Sequence, residues 1–254
     1  MNTEAPSAPD GHTQRQEEAF AAFAQQEQEF FRWQSEKLAL LEAELKRMGP
    51  RGVLGDVGCF TGLATQRFLK LGFEKAVGFD LSEQALALAS RRGIETRRWN
   101  AGEQDCPARD GEFDLVLATD VIEHVVDTDR FLKELHRVLK PDGCLIVTTP
   151  NLAFWISRLR LLRGKPPWSY PGPSPSVCAD LMVDRNHIRV TTRAEWQALF
   201  EARGFRVTKV LGWSLLHAKG NSLGMRLCRL VDAWMKRTPE RAFGLLFVMT
   251  REGA

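Results

Sequence analysis

The stretch VLGDVGCFTG, which runs from Val53 to Gly62, decides how the rest of this 254-residue chain is organised. Its first half is apolar enough for a buried strand, and a helical pattern begins directly after the last glycine. Glycines in such a turn let the backbone approach a ligand, and the start of a helix offers free N–H groups. Asp80 closes the next apolar run, 18 residues after Gly62. Together these features indicate a nucleotide or nucleoside pocket.

Length and composition fit one α/β domain with appendages. Apolar residues make up 44% of the chain and charged residues 26%, which is enough for a full core under an ordinary surface. The net charge of +3 is too small to indicate nucleic-acid binding, so no nucleic acid is expected as a partner. Residues 155–254 nevertheless carry seventeen bases against seven acids. This basic third favours an anionic or carrier-linked acceptor or peripheral contact with a membrane, although a solvated arginine-rich face is the simpler explanation.

Cysteine usage and the chain start predict a cytoplasmic protein. The five cysteines form no CxxC pair and show no metal-ligand spacing, so reduced thiols and no bound metal are expected. The first residues have neither a basic start nor an apolar core, unlike a signal peptide. No apolar run approaches the roughly 20 residues that span a bilayer.

The remaining pattern predicts three regions. Residues 1–13 are polar and should form a disordered tail, and residues 14–48 should form one or two amphipathic helices. These helices either pack on the flank of the domain or form a lid over its pocket. Residues 49–254 form the domain itself, in which five strand-like runs, the fourth at residues 113–119, alternate with helices before two further strands. Ser82 is expected to cap one helix, residues 192–195 to form a capping box at the start of another, and residues 141–143 to form a turn. A Pro- and Trp-rich insert at residues 150–190 lies on the substrate side, because so long an irregular segment is usually functional.

Polar residues follow several of the predicted strands. Asp80, Asn100 and the segment 119–124 each come directly after an apolar run. In a parallel doubly wound sheet, ligands bind at the carboxyl ends of the strands. These residues should therefore meet at one edge of the sheet.

Glycine spacing separates two candidate cofactors. A dinucleotide fingerprint places glycines at positions 1, 3 and 6, whereas Gly55, Gly58 and Gly62 occupy positions 1, 4 and 8. The segment Asp56–Gly62 resembles instead the D-x-G-C-G-x-G motif of class I S-adenosyl-L-methionine (SAM)-dependent methyltransferases. Phe60 departs from that motif, since it stands where the family has its middle glycine. Further motif-like segments follow in order: GFDLS at 78–82, FDLV at 113–116 with VIEHV at 121–125, and LKPDG at 139–143 with TTPN at 148–151.

The resemblance implies a Rossmann-like seven-stranded sheet, mostly parallel with an antiparallel last strand, and SAM as cofactor. In this family pattern Asp80 would accept the ribose hydroxyls, and Asp56 would favour the ammonium group. Leu81 and Ala101 would enclose the adenine, and Asn100 would read its amino edge. The residues implied in cofactor binding are Asp56, Gly58, Cys59, Phe60, Gly62, Asp80, Leu81, Asn100, Ala101 and Thr119.

His124 is the candidate catalytic residue. An oxygen nucleophile must lose its proton, and imidazole titrates near neutral pH. The same Glu-His-Val segment occurs in ubiquinone-type O-methyltransferases, although a helix-start histidine bonded to the backbone is the alternative. Residues 186–191 resemble the "HiR" loop of the same broad group. The candidate acceptor residues are Glu123, Trp155, Tyr170, His187 and Arg189.

These features predict a transferase that methylates an oxygen of a small-molecule, sugar or lipid-linked acceptor. N- or C-methylation shares the same cofactor half and stays open, although the Asn/Asp-Pro-Pro-Tyr/Phe motif of amino-nitrogen methylation is absent after the fourth strand, where residues 119–122 read TDVI. The segments at residues 150–155 and 158–164, and on to 187–188, resemble MetW-type proteins, which raises a third hypothesis, a non-catalytic partner of a biosynthetic enzyme. The Glu123-His124 pair argues against it.

Overall fold

The computed structural model describes residues 27–49, 51–169, 187–216 and 222–252. Within these ranges the chain forms one sheet with helices on both faces. The strands are β1 Val53–Val57, β2 Lys75–Asp80, β3 Glu95–Arg98, β4 Phe113–Thr119, β5 Leu139–Pro150, β6 Phe205–Trp213 and β7 Gly244–Arg251. The helices are α1 Glu27–Trp33, α2 Ser35–Met48, α3 Leu63–Leu69, α4 Glu83–Arg91, α5 Thr128–Val138, α6 Trp155–Leu161, α7 Arg193–Glu201 and α8 Leu223–Met235.

The sheet has seven strands in the order β3-β2-β1-β4-β5-β7-β6. Strands β1 to β5 pair in parallel, while β7 runs antiparallel to both β5 and β6. This arrangement confirms the predicted doubly wound sheet with an antiparallel last strand. The strand order reverses between β1 and β4, and ligands of such sheets bind in the crevice at that point.

Two apolar layers cover the sheet, which explains why its central strands are almost wholly apolar. One layer joins Phe131 of α5 to Trp196 and Phe200 of α7. The other joins Leu41 of α2 to Phe68 of α3, together with Leu86 of α4. Helix α2 is therefore part of the core packing and not an appendage.

Local signals in the sequence set the helix starts as predicted. The Ser82 hydroxyl accepts the Ala85 amide at the start of α4. At the start of α7, Thr192 and Glu195 form a reciprocal capping box. Such caps satisfy the backbone N–H groups that a helix leaves unpaired at its first turn.

Two expectations differ from the structure or lie beyond it. The predicted turn at residues 141–143 lies inside β5, whose pairing with β4 shifts register between Leu139 and Cys144. A Cβ on Gly143 would lie 2.8 Å from the Lys140 carbonyl oxygen, so the turn signal marks a tight irregularity within a continuing strand. The tail at 1–13 and the first part of the predicted N-terminal helices lie outside the described residues.

Candidate active site

A cavity of about 400 Å³ opens at the carboxyl ends of β1, β2 and β4. It lies where the strand order reverses, as the topology leads one to expect. The structure brings most of the predicted site residues to its wall, so residues far apart in sequence meet there. The predicted residues that line it are Asp56, Gly58, Cys59, Phe60, Asp80, Leu81, Asn100, Ala101, Thr119, His124 and His187.

The glycine turn brings the backbone close to its neighbours. Gly58 has a φ of 72°, and a Cβ there would lie 2.5 Å from Cγ2 of Val121. Gly62 has a φ of 76° and precedes α3, and a Cβ there would lie 2.5 Å from Cδ1 of Ile94. Gly62 thus serves the packing of the turn rather than the cavity wall. Cys59 is buried, and burial raises the pKa of its thiol well above the usual range.

Phe60 adopts the backbone conformation of the glycine that it replaces. Its φ is 52°, in the left-handed region that side chains other than glycine rarely adopt. In this conformation its N–H donates to Oδ2 of Asp80 at 2.9 Å. The departure from the family motif therefore preserves the turn and places an aromatic side chain at the cavity wall.

Asp56 and Asp80 give the cavity its acidic side. Asp80 is 6% exposed, and its other oxygen accepts the Ser82 amide at 2.9 Å. Burial raises the pKa of Asp80, and the backbone amides of Ser82 and Phe60 partly offset that effect. Burial raises the pKa of Asp56 to about 7, although the Thr65 hydroxyl donates to it at 2.5 Å.

Leu81, Asn100 and Ala101 line one side of the cavity as predicted for the adenine. Glu103 lines the same side, and the Asn100 side-chain amide donates to it at 2.6 Å. Sequence reasoning missed Glu103, because nothing in the motif sets it apart from a solvated acid. The donor and acceptor groups fit SAM: a buried carboxylate for the ribose, an acid for the ammonium, and an apolar shelf with polar edges for the base.

The N-terminal helices form another wall that the sequence only partly anticipated. The residues of this wall are Phe31, Gln34, Lys37, Leu38 and Leu41. All five line the cavity. Whether these helices open and close as a lid stays a prediction.

Five ion pairs among the described residues join the N-terminal helices to the rest of the domain, two of them through Lys37 and Arg92. Lys37 of α2 pairs with Asp120 at the end of β4, and Arg92 pairs with Glu27 of α1 at 2.9 Å. Burial alone would raise the pKa of Asp120, but Lys37 outweighs that effect, and the pKa of this carboxyl lies below its usual value. The sequence offered no signal for either pair, because their members lie 83 and 65 residues apart.

His124, His187 and Glu123 meet beyond the end of β4. The two imidazole rings lie 4.9 Å apart between centroids, and both line the cavity. The Glu123 carbonyl accepts the amides of Ile188 and Arg189, which fixes the segment after His187 next to His124. The Glu123 side chain is fully buried, and burial followed by the Asp120 charge raises its pKa well above the usual range.

Among the described residues, three of the predicted acceptor residues do not line the cavity: Glu123, Trp155 and Arg189. Trp155 packs with Phe154, and its indole N–H donates to Asp232 of α8 at 2.9 Å. Arg189 donates to the Thr128 hydroxyl at 2.8 Å, at the start of α5. Tyr170 lies outside the described residues. The contacts of Trp155 and Arg189 are those of packing residues.

The fold and the site together define a SAM-dependent methyltransferase of class I. A family model described as a methyltransferase domain matches residues 26–210. The chain belongs to this family, and SAM is its cofactor. No helix among the described residues has the length and apolar content needed to cross a membrane.

Individual relatives support this assignment, and the matched segments differ in length. The chain is 38% identical over 102 residues to a ubiquinone biosynthesis O-methyltransferase of Bradyrhizobium diazoefficiens, which covers 38% of this chain and 39% of that protein. It is 29% identical over 176 residues to a probable SAM-dependent methyltransferase of Mycolicibacterium smegmatis, with 68% of this chain and 58% of that protein covered. The match thus spans about two fifths of the ubiquinone-type relative.

Solved structures share the fold. A methyltransferase in complex with the Trm112 activator of Haloferax volcanii superposes with a TM-score of 0.64 at 16% identity, covering 97% of this chain and all of that chain. A possible histamine N-methyltransferase of Thermotoga maritima gives a TM-score of 0.62 at 20% identity and covers 93% of this chain and 99% of that one. These structural similarities establish the architecture. The identity of the acceptor has to be argued from the residues of the site.

Proposed function

We propose that this enzyme methylates an oxygen atom of a small-molecule, sugar or lipid-linked acceptor. The observation that carries the proposal is the pair of imidazole rings of His124 and His187, which face the cavity beside the acidic cofactor side. Oxygen nucleophiles need their proton removed or their acidity increased, and imidazole can serve either purpose.

The residues around the cavity have different proposed roles. Asp80, Leu81 and Ala101 would hold the nucleoside part of SAM, and Asp56 would attract its ammonium group. The cofactor supplies an electrophilic methyl group on a sulfonium. Holding an acceptor oxygen in line with that methyl group supplies much of the rate of such a displacement. His124, at the wall of the cavity, is placed to act on the acceptor hydroxyl, and its role as a general base stays a prediction.

The shape and lining of the cavity favour an acceptor with an apolar body. Phe31, Leu38 and Leu41 line it from the N-terminal helices, and Val121 and Val125 line it near His124. The relatives described as ubiquinone biosynthesis O-methyltransferases point in the same direction. A hydroxylated ring carrying an apolar chain is therefore the first acceptor class to test.

Transfer to nitrogen or carbon is the alternative, because the cofactor side of the cavity would serve it equally well. A non-catalytic, MetW-like role has less support, since the family match is to methyltransferases and the histidine pair faces the cavity. A cytoplasmic location likewise stays part of the proposal.

The proposal can be tested by identifying which kind of atom receives the methyl group, even while the acceptor is unidentified. The protein is incubated with methyl-labelled SAM and an extract of metabolites and lipids, and labelled products are identified by mass spectrometry. We expect a methoxy product that His124→Gln abolishes while SAM affinity, measured by calorimetry, stays within about twofold of wild type. Labelled N-methyl or C-methyl products that His124→Gln leaves unchanged would overturn the proposal.

A further inference from the structure

The cluster of Glu123, His124 and His187 has the composition of a metal site. Each residue offers one ligand atom, and these atoms all lie within 4.8 Å of one another. Two imidazoles and one carboxylate form a known ligand set for divalent transition metals, including catalytic zinc and non-haem iron. The sequence predicts no metal, because its cysteines show no ligand spacing and these three ligands come from two distant segments.

The ring of His187 is oriented for ligation. Its Nδ1 lies 3.1 Å from the Ser169 carbonyl oxygen, and a carbonyl can only accept, so Nδ1 carries the proton. Its other ring nitrogen, Nε2, lies 4.0 Å from Oε1 of Glu123. Metal-bound histidines usually donate their other N–H to a carbonyl or carboxylate in this way.

Glu123 supplies an independent indication. Its side chain is 0% exposed, and neither carboxylate oxygen accepts a hydrogen bond of normal geometry among the described residues, although the nearby Thr149 hydroxyl favours its charged form. Its distance of 4.0 Å from His187 is too long for a hydrogen bond. A buried carboxylate without such hydrogen bonds is costly, and a cation between it and the imidazoles would satisfy it. Asp120, the neighbouring acid, already pairs with Lys37 and accepts the Thr148 hydroxyl, so it is not in the same position.

We propose that Glu123, His124 and His187 bind one divalent transition-metal ion at the acceptor side of the cavity. Binding would draw the three ligand atoms to about 3.3 Å from one another, the separation that tetrahedral zinc with bonds of about 2.0–2.1 Å requires. Both imidazoles line the cavity, so the remaining coordination position faces the acceptor. This arrangement is that of a catalytic metal site, which keeps one position open.

The role of the ion deepens the proposed O-methylation and rests on it. An acceptor oxygen bound to the ion becomes a stronger acid, as metal-bound water does. Its proton passes to solvent, and the oxygen then forms a bond to the methyl carbon as the carbon–sulfur bond breaks with its electron pair to sulfur. The acceptor leaves as a methyl ether. A metal-bound His124 cannot take the proton, so ligation and the general-base role are alternatives.

Metal binding is tested directly on the full chain, purified without a histidine tag and stripped of metal. Zinc is titrated against a competing chromophoric chelator, and cobalt(II) is added separately to record its visible absorption. We expect one zinc per chain and a cobalt spectrum typical of a four- or five-coordinate site. Glu123→Gln and His187→Gln should each weaken zinc binding at least tenfold, while His136→Gln, which removes a histidine of α5 remote from the cavity, should leave it within about twofold.

The outcomes separate this proposal from the function that it extends. Stoichiometric zinc that the three variants affect equally, or no stoichiometric zinc or cobalt, would overturn the metal site. Calorimetry with SAM on the same samples reports the proposed function independently, because none of the cofactor residues is changed. Intact SAM binding without metal would leave His124 as the general base. Circular dichroism of Glu123→Gln checks that any loss of metal binding is not a loss of folding.

Discussion

Asp80 is the residue on which cofactor affinity should depend most. Its two oxygens accept the amides of Phe60 and Ser82, which aims the carboxylate at the cavity. Hydrogen bonds to a charged group contribute about 1.5–3 kcal/mol each. Asp80→Asn should therefore weaken SAM binding about a hundredfold by calorimetry, whereas Glu83→Gln, an exposed acid nearby, should change it little. An unchanged affinity in Asp80→Asn would show that the ribose lies elsewhere.

Asp56 should make SAM binding depend on pH. Burial raises its pKa to about 7, with Asp80 adding to that effect and Thr65 and Lys37 opposing it. The carboxyl is thus mostly protonated below pH 7 in the free protein, and the ammonium group of SAM favours the ionised form. Affinity should rise about tenfold from pH 5.5 to pH 7, because one pKa unit corresponds to about 1.4 kcal/mol.

Calorimetry in two buffers of different ionisation enthalpy measures the proton released when SAM binds. Asp56→Asn is the control, and its affinity should change much less over the same range. The substitution should also raise the melting temperature of the free protein at pH 8. A carboxyl with a raised pKa costs stability once the pH exceeds its unfolded value, and asparagine has no such cost. A pH profile that is the same in wild type and Asp56→Asn would contradict this role.

The left-handed backbone conformation of Phe60 should lower the stability of the fold. A left-handed conformation costs a residue with a side chain about 1–2 kcal/mol relative to glycine. Phe60→Gly loses the contacts of the ring but is relieved of this backbone cost, whereas Phe60→Ala loses the contacts of the ring and keeps the cost. The free energy of unfolding in urea should therefore be about 1 kcal/mol higher for Phe60→Gly than for Phe60→Ala. Equal values would mean that the turn changes conformation when the ring is removed.

Among the elements, the strands and caps could be predicted from sequence, and the contacts between elements could not. β4 was predicted with the same bounds as observed, because an apolar run flanked by turn residues leaves few alternatives. β5 extends through a Pro-Asp-Gly segment that normally marks a turn, since pairing with β4 outweighs the local preference. For the site, the positions of Asp80 and His124 after predicted strands indicated that they would lie at one edge of the sheet, and both line the cavity. Lys37 could not be foreseen, because its partner is set by tertiary packing alone.

Helix α2 should depend on the ion pair between Lys37 and Asp120. Lys37 is 5% exposed and also lies 5.3 Å from the ring centroid of Trp213. Removing one member of a buried pair typically costs about 3–5 kcal/mol, because the other charge is left unpaired, and the lower end applies here since the Asp120 side chain is 24% exposed. Lys37→Met should lower the free energy of unfolding by about 3 kcal/mol and speed amide exchange over α2. Lys37→Met with Asp120→Asn should recover part of that loss.

The pair between Lys236 and Glu36 provides the matched control for this cycle. Its lysine side chain is 27% exposed, against 6% for that of Lys37, and the paired atoms of Lys236 and Glu36 lie 2.7 Å apart. Lys236→Met should cost no more than about 1 kcal/mol, as partly solvated pairs do. If SAM slows exchange over α2 in the wild type, the helix closes on the cofactor as a lid would. Exchange over α2 that neither SAM nor Lys37→Met alters would make it a fixed flank.

At the scale of the whole molecule, the basic C-terminal third remains a candidate for peripheral membrane contact. Helix α8 lies in this basic third and carries an exposed apolar stripe. Leu223, Leu227, Leu230 and Trp234 recur at helical spacing and are 58–84% exposed. A helix that combines an exposed apolar face with basic residues is typical of proteins that lie in the membrane interface. Such contact would bring the protein close to a lipid-linked acceptor.

Vesicle sedimentation tests this contact. The protein should sediment with vesicles that contain phosphatidylglycerol and not with pure phosphatidylcholine, and added salt should weaken binding. Leu227→Glu with Leu230→Glu should abolish it, because two charges would enter the apolar layer. Lys70→Glu makes the same change in net charge at an exposed site outside the C-terminal third and should reduce binding only slightly. Equal losses in both variants would mean that net charge alone attracts the protein and that α8 does not enter the interface.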